Sequence, residues 1–177
     1  MDSVGTLCSI LVSFELSDPL ASMNLVDLFP SERVFVNVDV SSRKELLGFL
    51  SERAGELGLV NGQLCSRAVA AREELGSTGL GHGVAIPHAR LPGLDAVRGF
   101  FMRLTKPIDF DAVDRQPVDL VFVLLAPENA GAAHLKALAR VSRALRDPAV
   151  CAKLRAHDAD ESVMYYALLG SETSKAA

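Results

Sequence analysis

The sequence predicts a single layered α/β domain, in which a mixed β-sheet of about five strands has helices on both faces. Two observations lead to this fold class. Short segments rich in β-branched and aromatic residues, such as 34–38 (VFVNV) and 120–126 (LVFVLLA), alternate with segments whose apolar residues recur at helical spacing. The chain has 177 residues, of which 49% are hydrophobic, and this is enough to fill one sizeable core. Helices that interleave with strands in this way cover the faces of a sheet.

Composition excludes several classes of function. Lys and Arg total 18 against 22 Asp and Glu, so the chain lacks the overall positive charge that is typical of nucleic-acid-binding domains. The first apolar stretch, 7–14, is too short to span a membrane and lacks the basic region of a signal peptide. Cys8, Cys65 and Cys151 are widely spaced and form no Cys-x-x-Cys pair. We therefore predict a cytoplasmic protein with reduced thiols, which neither binds nucleic acid nor inserts into a membrane.

The domain boundaries follow from where regular patterns begin and end. Residues 1–22 show no sustained period and are predicted to be a poorly ordered N-terminal extension. Met23 opens a more regular sequence, so the domain is expected at 23–170, with a C-terminal tail at 171–177.

The first half of the domain is predicted to contain one strand and two helices. The strand is Val34–Val38. Ser42 and Glu45 have the spacing of a capping box, in which each side chain satisfies a free backbone donor at the helix start. The Asn-Gly pair at 61–62 separates this helix from the next. The helical repeats are Leu46, Leu50, Ala54 and Leu57 in the first helix, and Leu64, Ala68 and Arg72 in the second.

A glycine-rich segment interrupts the regular elements in the middle of the chain. Residues 76–83 (GSTGLGHG) contain too many glycines for a helix or a strand and are predicted to form a loop. The short strand 84–86 should end at Pro87, because proline lacks the N–H that a central ladder needs. His88 is therefore predicted at the rim of the sheet, just beyond a rigid residue.

The second half is predicted to hold two more strands and three helices. Residues 100–104 are predicted to form the first of these strands. The second, 120–126, is apolar at every position, as expected of a strand buried on both faces. The acidic stretch 109–114 between them should form a turn. Two short C-terminal helices are expected to begin at Asp147 and Asp158 as N-caps. The long helix before them is marked by Leu135, Leu138, Ser142 and Leu145.

His88 has the most suggestive position among the four histidines, because functional side chains concentrate where a rigid scaffold holds them. A lone histidine is more often structural or simply exposed, so its neighbours matter. The GSTG segment offers flexible backbone donors and the hydroxyls of Ser77 and Thr78, which can approach a phosphate closely, although an ordinary turn is the alternative. The loop matches neither the P-loop nor the dinucleotide fingerprint, so a nucleotide site is not predicted.

Two further side chains could assist an anion at this loop. Arg72, near the end of the preceding helix, has a planar fork of donors suited to phosphate oxygens; the alternative is a surface arginine at a helix C-terminus. His134 lies near the start of the long helix, where a neutral imidazole could donate to a phosphoryl group; the alternative is a histidine facing solvent. A metal held by His82, His88 and either His134 or Asp95 matches no ligand spacing, so no metal site is predicted.

Three segments carry a family resemblance. They are 72–90 (REELGSTGLGHGVAIPHAR), 110–127 (FDAVDRQPVDLVFVLLAP) and 134–145 (HLKALARVSRAL). In this order they resemble the IIA domains of the phosphotransferase system of the fructose–mannitol type, and the likeness covers most of residues 23–170. The opening from Met23, MNLVDLFPSERV, resembles the nitrogen-regulatory branch of that family.

The resemblance implies a phosphohistidine carrier and assigns roles to residues by position. It implies that His88 accepts the phosphoryl group, that His134 assists and that Arg72 contacts the group, while Ser77 and Thr78 remain candidates for binding phosphate. The implied donor is a small phosphohistidine protein of the HPr type, so no cofactor is required. His82 stands where the family more often has Asn, which raises the expectation of a second imidazole near the phosphate. Ala89 stands where Gly is common.

The resemblance to the nitrogen-regulatory branch implies a regulatory phosphotransferase rather than a metabolic one. Its phosphorylation state would then control binding to protein targets, with potassium-transport or sensor-kinase proteins expected. Two alternatives remain open. The first is the IIA component of a sugar uptake system that passes phosphate to a separate IIB protein. The second is a binding module that has lost phosphotransfer, against which the retention of Arg72, His88 and His134 argues.

Overall fold

A computed structural model describes residues 25–173 of the chain. The predicted extension, 1–22, lies outside the described residues, and the last helix covers the first residues of the predicted tail. The helices are α1 (Leu25–Leu28), α2 (Arg43–Glu56), α3 (Gly62–Glu74), α4 (Gly131–Leu145), α5 (Pro148–Arg155) and α6 (Glu161–Thr173), with a 3-10 turn at Ser31–Arg33. The strands are β1 (Val34–Val38), β2 (Gly79–Gly81), β3 (Val84–Ala85), β4 (His88–Leu91), β5 (Arg98–Ile108) and β6 (Val118–Pro127).

The strands form one mixed sheet, which confirms the predicted fold class. The order is β1-β5-β6-β3-β2, and β4 pairs with β6 on the same side as β3. β5 and β6 are antiparallel, as are β2 and β3, whereas β1 is parallel to β5 and both β3 and β4 are parallel to β6. The sheet has six strands rather than the five expected.

Helices cover both faces of the sheet, and the central strand β6 contributes to both cores. Its side chains alternate between the faces, as the period of two requires. Leu120, Phe122, Leu124 and Ala126 belong to the core that includes residues of α4, α5 and α6, whereas Val121, Val123 and Leu125 belong to the core with α2 and α3. This confirms the prediction of a strand buried on both faces. None of the helices within residues 25–173 is long and apolar enough to cross a membrane.

The sequence analysis missed two strands, both next to glycines or proline. β2 lies inside the segment predicted as a loop, because backbone pairing of Gly79 with Ala85 requires no side chain. β4 lies beyond Pro87, where the strand was expected to end. The Pro87 carbonyl still accepts a hydrogen bond from the Leu124 N–H at 2.9 Å, and the pairing with β6 resumes at His88 opposite Leu124. His88 is therefore the first residue of a strand.

The helix caps agree with prediction in part. At α2 the Ser42 hydroxyl accepts from the Glu45 N–H at 3.3 Å, as predicted, but the Glu45 carboxylate accepts from the N–H of Ser41 rather than Ser42. Asp147 caps α5 as predicted, accepting from the Ala149 N–H at 2.9 Å. The prediction of Asp158 as the last cap is wrong.

Asp160, two residues later, caps the last helix. Its carboxylate accepts from the Val163 N–H at 2.8 Å, which places the cap directly before the first residue of α6. Sequence alone did not distinguish the two aspartates, because both precede the apolar part of α6.

The residues that two helices bury are only in part the ones whose spacing predicted those helices. Of the residues whose spacing marked α4, Leu145 is buried but Leu135 is 64% exposed, and the helix also buries Ala137, Val141 and Ala144. In α3 the buried residues are Cys65 and Val69, one position after the predicted Leu64 and Ala68. One position corresponds to about 100° of rotation around a helix.

Candidate functional site

His88 is held in one tautomer at the start of β4. The ring is half-buried, and its Nδ1 lies 2.9 Å from the carbonyl oxygen of Ile86. Because a carbonyl can only accept, Nδ1 carries the hydrogen. Nε2 consequently has the free lone pair, and it accepts a hydrogen bond from Nε of Arg72 at 3.1 Å.

Arg72 connects His88 to the end of α3. It lies in the last turn of that helix, and its NH1 donates to the carbonyl oxygen of Gly76 at 3.0 Å. This second bond anchors the guanidinium to the loop that follows, so Arg72 is fixed beside Nε2 of His88 by two contacts.

His134, in helix α4, packs against the ring of His88. It is the fourth residue of α4, only 5% exposed, and its ring meets that of His88 edge-on at 69° with centroids 5.4 Å apart. Its Nδ1 accepts from Nε of Arg90 at 3.4 Å. Its Nε2 is buried and has no hydrogen-bond partner among the described residues.

Both imidazoles are disposed to be neutral near pH 7. Burial lowers the pKa of His88, and the charge of Arg72 adds to this, whereas the Ile86 carbonyl opposes it. Burial, followed by the charges of His88 and Arg90, lowers the pKa of His134 to about 4. A neutral His88 has its Nε2 lone pair available, which is the form a nucleophile requires.

The hydroxyls of the glycine-rich loop hold the loop together. Thr78 donates to the carboxylate of Glu73 from both its hydroxyl and its N–H, and Ser77 donates to the carbonyl oxygen of Phe110 while accepting from the N–H of Gly79. Both residues line a cavity beside Arg72 and His88. A hydroxyl has one hydrogen, so a phosphoryl contact by either side chain would require the present bond to be given up.

Glycine is required at position 79 because the start of β2 approaches the segment after β5 very closely. A Cβ on Gly79 would lie 2.7 Å from the Cβ of Ala112, which is too short for any ordinary contact. The close approach brings the segment after β5 against the loop that follows Arg72.

His82 does not join the His88 cavities. Its side chain is exposed, its N–H donates to Asp114 at 2.7 Å, and it lines a different cavity together with Arg155. The expected second imidazole near the phosphate is therefore not placed beside His88 by the fold. Within the described residues, no group of three His, Cys, Asp or Glu side chains is arranged to hold a metal ion.

Arg90 is a site residue that the sequence analysis did not single out. It lines an open cleft of about 390 Å³ together with Arg72, His88 and His134. Its position could have been inferred from the sequence once β4 was known, because residues two apart in a strand lie on the same face. Glu73 of α3, whose carboxylate accepts from Thr78, was also not singled out.

The arrangement provides a nucleophilic lone pair, a guanidinium beside it and a buried imidazole within the same cleft. A guanidinium and N–H donors recognise phosphate-like oxygens. The geometry therefore suits a group that becomes attached to Nε2 of His88 and carries negative oxygens.

The chain is similar to known proteins over most of the described region. A family model described as "Phosphoenolpyruvate-dependent sugar phosphotransferase system, EIIA 2" matches residues 27–168. A nitrogen regulatory protein from Bradyrhizobium diazoefficiens is 50% identical over 134 residues, which cover 76% of this chain and 88% of the relative.

Solved structures show the same fold. The nitrogen regulatory protein IIA-Ntr from Neisseria meningitidis superposes with a TM-score of 0.74 at 33% identity, covering 80% of this chain and 97% of that one. IIA mannitol from Escherichia coli superposes with a TM-score of 0.66 at 22% identity, covering 78% and 97%, and this match concerns the fold alone.

Proposed function

Because the chain belongs to the EIIA 2 family of the phosphoenolpyruvate-dependent sugar phosphotransferase system, we propose that His88 accepts a phosphoryl group on Nε2 and that this modification controls binding to protein targets. The observation that carries the proposal is the tautomer of His88. The Ile86 carbonyl holds the hydrogen on Nδ1, so the Nε2 lone pair lies in the cleft beside Arg72.

The transfer balances without a metal or nucleotide. The Nε2 lone pair of His88 forms a bond to phosphorus while the P–N bond of the donor's phosphohistidine breaks, and the donor nitrogen keeps that electron pair. Such a transfer needs mainly in-line positioning and stabilisation of charge on the phosphoryl oxygens. The ring of His88 retains its Nδ1 hydrogen, and the Ile86 carbonyl stabilises the positive charge that the ring gains.

Arg72 is proposed to stabilise the charge on the phosphoryl group. Its Nε–H now donates to Nε2 of His88. Once a phosphoryl group is bonded to Nε2, a small shift of the guanidinium would let the same N–H donate to one of the phosphoryl oxygens. His134 is proposed to donate from its buried Nε2–H. Preorganised donors of this kind act strongly in a cleft that excludes part of the water.

We propose an HPr-type protein as donor, which implies a cytoplasmic location. Mixing the protein with a phosphorylated HPr-type donor and measuring its mass should show one acid-labile phosphoryl group. The His88→Ala variant should stay unlabelled, while His157→Ala, which removes an exposed histidine, should be labelled fully. Full labelling of His88→Ala would overturn the assignment, and an unlabelled wild type would favour a binding module without phosphotransfer.

The regulatory output is proposed from the change in charge. A phosphoryl group adds roughly −1.5 to −2 charges, by analogy with phosphoserine, to a ring that is neutral before transfer. Leu75 and Val113, 84% and 87% exposed, lie on the rims of the two cavities around His88. A partner that covers these apolar residues would desolvate the group, and an unpaired charge there costs several kcal/mol, which is roughly a hundredfold or more in affinity.

A protein target is favoured over a sugar pathway because the relatives named above include nitrogen regulatory proteins. The description of the family as a sugar phosphotransferase system favours the alternative, a IIA component that passes phosphate to a separate IIB protein. A pull-down with unmodified and phosphorylated protein should capture different partners, with potassium-transport or sensor-kinase proteins expected. Identical partners together with rapid transfer to a IIB protein would establish the alternative.

A further inference from the structure

We propose that Arg90 is a positioning residue, which holds the ring of His134 in the tautomer whose Nε2–H can donate to a phosphoryl group on His88. The inference rests on the function proposed for His88 and deepens it. It names a residue that acts on the phosphoryl group through another side chain.

The first step concerns the direction of the Arg90–His134 hydrogen bond. Nε of Arg90 lies 3.4 Å from Nδ1 of His134. A guanidinium can only donate, so Nδ1 must be the acceptor and must have its lone pair free. A neutral imidazole has one hydrogen, which is then on Nε2.

The second step concerns the unsatisfied Nε2–H of His134. His134 is only 5% exposed, and its Nε2 has no hydrogen-bond partner within the part of the chain that the structure describes. A buried donor without an acceptor is unfavourable and calls for an explanation. A phosphoryl oxygen would supply the missing acceptor, since the His134 ring lies edge-on against the ring that is proposed to receive the group.

The third step is that the other tautomer would oppose the same group. With the hydrogen on Nδ1, Nε2 would present a lone pair to a negative oxygen, and Nδ1–H would point at the Nε–H of Arg90. Arg90 therefore makes the productive tautomer the favoured one before the donor arrives. Its place in β4, two residues after His88, keeps it on the same side of the strand as the acceptor.

Nitrogen-15 NMR of the unmodified protein tests the tautomer directly. The His134 signals can be assigned by their loss in His134→Ala. In the wild type we expect the proton of the His134 ring to be on Nε2, and Nδ1 to be unprotonated and to accept a hydrogen bond. In Arg90→Met, whose side chain extends about as far as Nε but has no donor, we expect a mixture or the Nδ1–H form. Arg143→Met, on an exposed arginine of α4 that lines neither cavity around His88, should leave the signals unchanged. An unchanged Nε2–H tautomer in Arg90→Met would overturn the proposal.

Single-turnover phosphorylation by the HPr-type donor tests whether Arg90 acts through His134. Arg90→Met should slow transfer by about 10- to 100-fold, the scale for losing an outer partner that orients a histidine. In the His134→Ala background, Arg90→Met should cause no further loss, whereas multiplicative losses would show that Arg90 acts independently and would overturn the proposal. Circular dichroism confirms folding of each variant. Failure of the wild type to accept phosphate would refute the proposed function instead, and the NMR result would still stand separately.

Discussion

Nε of Arg72 donates to Nε2 of His88 across 3.1 Å, so the lone pair proposed as the nucleophile is paired with a cation before any phosphoryl group is present. The two residues are 16 apart in the chain and belong to α3 and β4. The charge of Arg72 contributes to the lowered pKa of His88, and the same guanidinium lies beside the site where phosphorus would bond. Burial is the larger cause of the lowered pKa of His88, and this one contact adds to it while also placing the charge-stabilising donor.

Replacing Arg72 should slow phosphoryl transfer without unfolding the protein. We expect Arg72→Met to lower the single-turnover rate by roughly two to three orders of magnitude, the scale for removing one charge-stabilising donor. Arg67→Met is the matched control, because Arg67 is an exposed arginine of the same helix that lines neither cavity around His88. Equal rates for Arg72→Met and the wild type would show that Arg72 is only a structural residue.

The buried His134 should make the protein less stable in mild acid. Its folded pKa of about 4 lies below the ordinary value of 6.5, so the unfolded chain binds more protons between these values. Its contribution to stability is complete above pH 6.5 and falls by about 3 kcal/mol as the pH drops to 4. The pKa of His88 is also lowered, so its burial likewise makes the protein less stable as the pH falls.

Urea unfolding measured from pH 7 to pH 4 tests this contribution. We expect His134→Gln to flatten the loss of unfolding free energy in that window, whatever its effect at pH 7. His157→Gln, at an exposed histidine, should retain the wild-type slope. A wild-type slope in His134→Gln would contradict the role assigned to its burial.

The cap of α6 gives a test with a control two residues away. Asp160→Ala should lower the free energy of unfolding by about 1 kcal/mol, because the Val163 N–H loses its side-chain acceptor. Asp158→Ala should change it little, since Asp158 does not cap the helix. Chemical denaturation of both variants checks the prediction, and equal losses would argue against the observed cap.

The domain boundary can be tested by truncation at Met23. We expect the chain without residues 1–22 to keep its melting temperature and its labelling by the donor, because the family match begins at residue 27 and the buried core of the described region includes Leu25, Leu28 and Phe29. In contrast, Phe29→Ala should cost about 3 to 5 kcal/mol by leaving a cavity. A large fall in melting temperature on truncation would mean that the removed segment contributes to the core.

Several features could be predicted from the sequence because their causes are local. β6 is buried on both faces, as its uninterrupted apolar run indicates, and Asp147 caps α5 through a bond to a residue two positions away. The sequence also offered His88 from its position after Pro87, Arg72 from its place before the glycine-rich loop and His134 from its place at a helix start, and the family resemblance assigned their roles. These three side chains line one cleft in the structure.

Other features were decided only by the tertiary structure. β4 exists beyond Pro87 because β6 supplies the partners for its ladder. The way α4 packs on the core decides that Ala137 is buried and Leu135 exposed. The bond between Arg90 and His134 joins residues 44 apart. Hydrogen-bond partners and packing surfaces at such separations produce no periodic pattern in the sequence. They form only when distant elements come together in the folded protein.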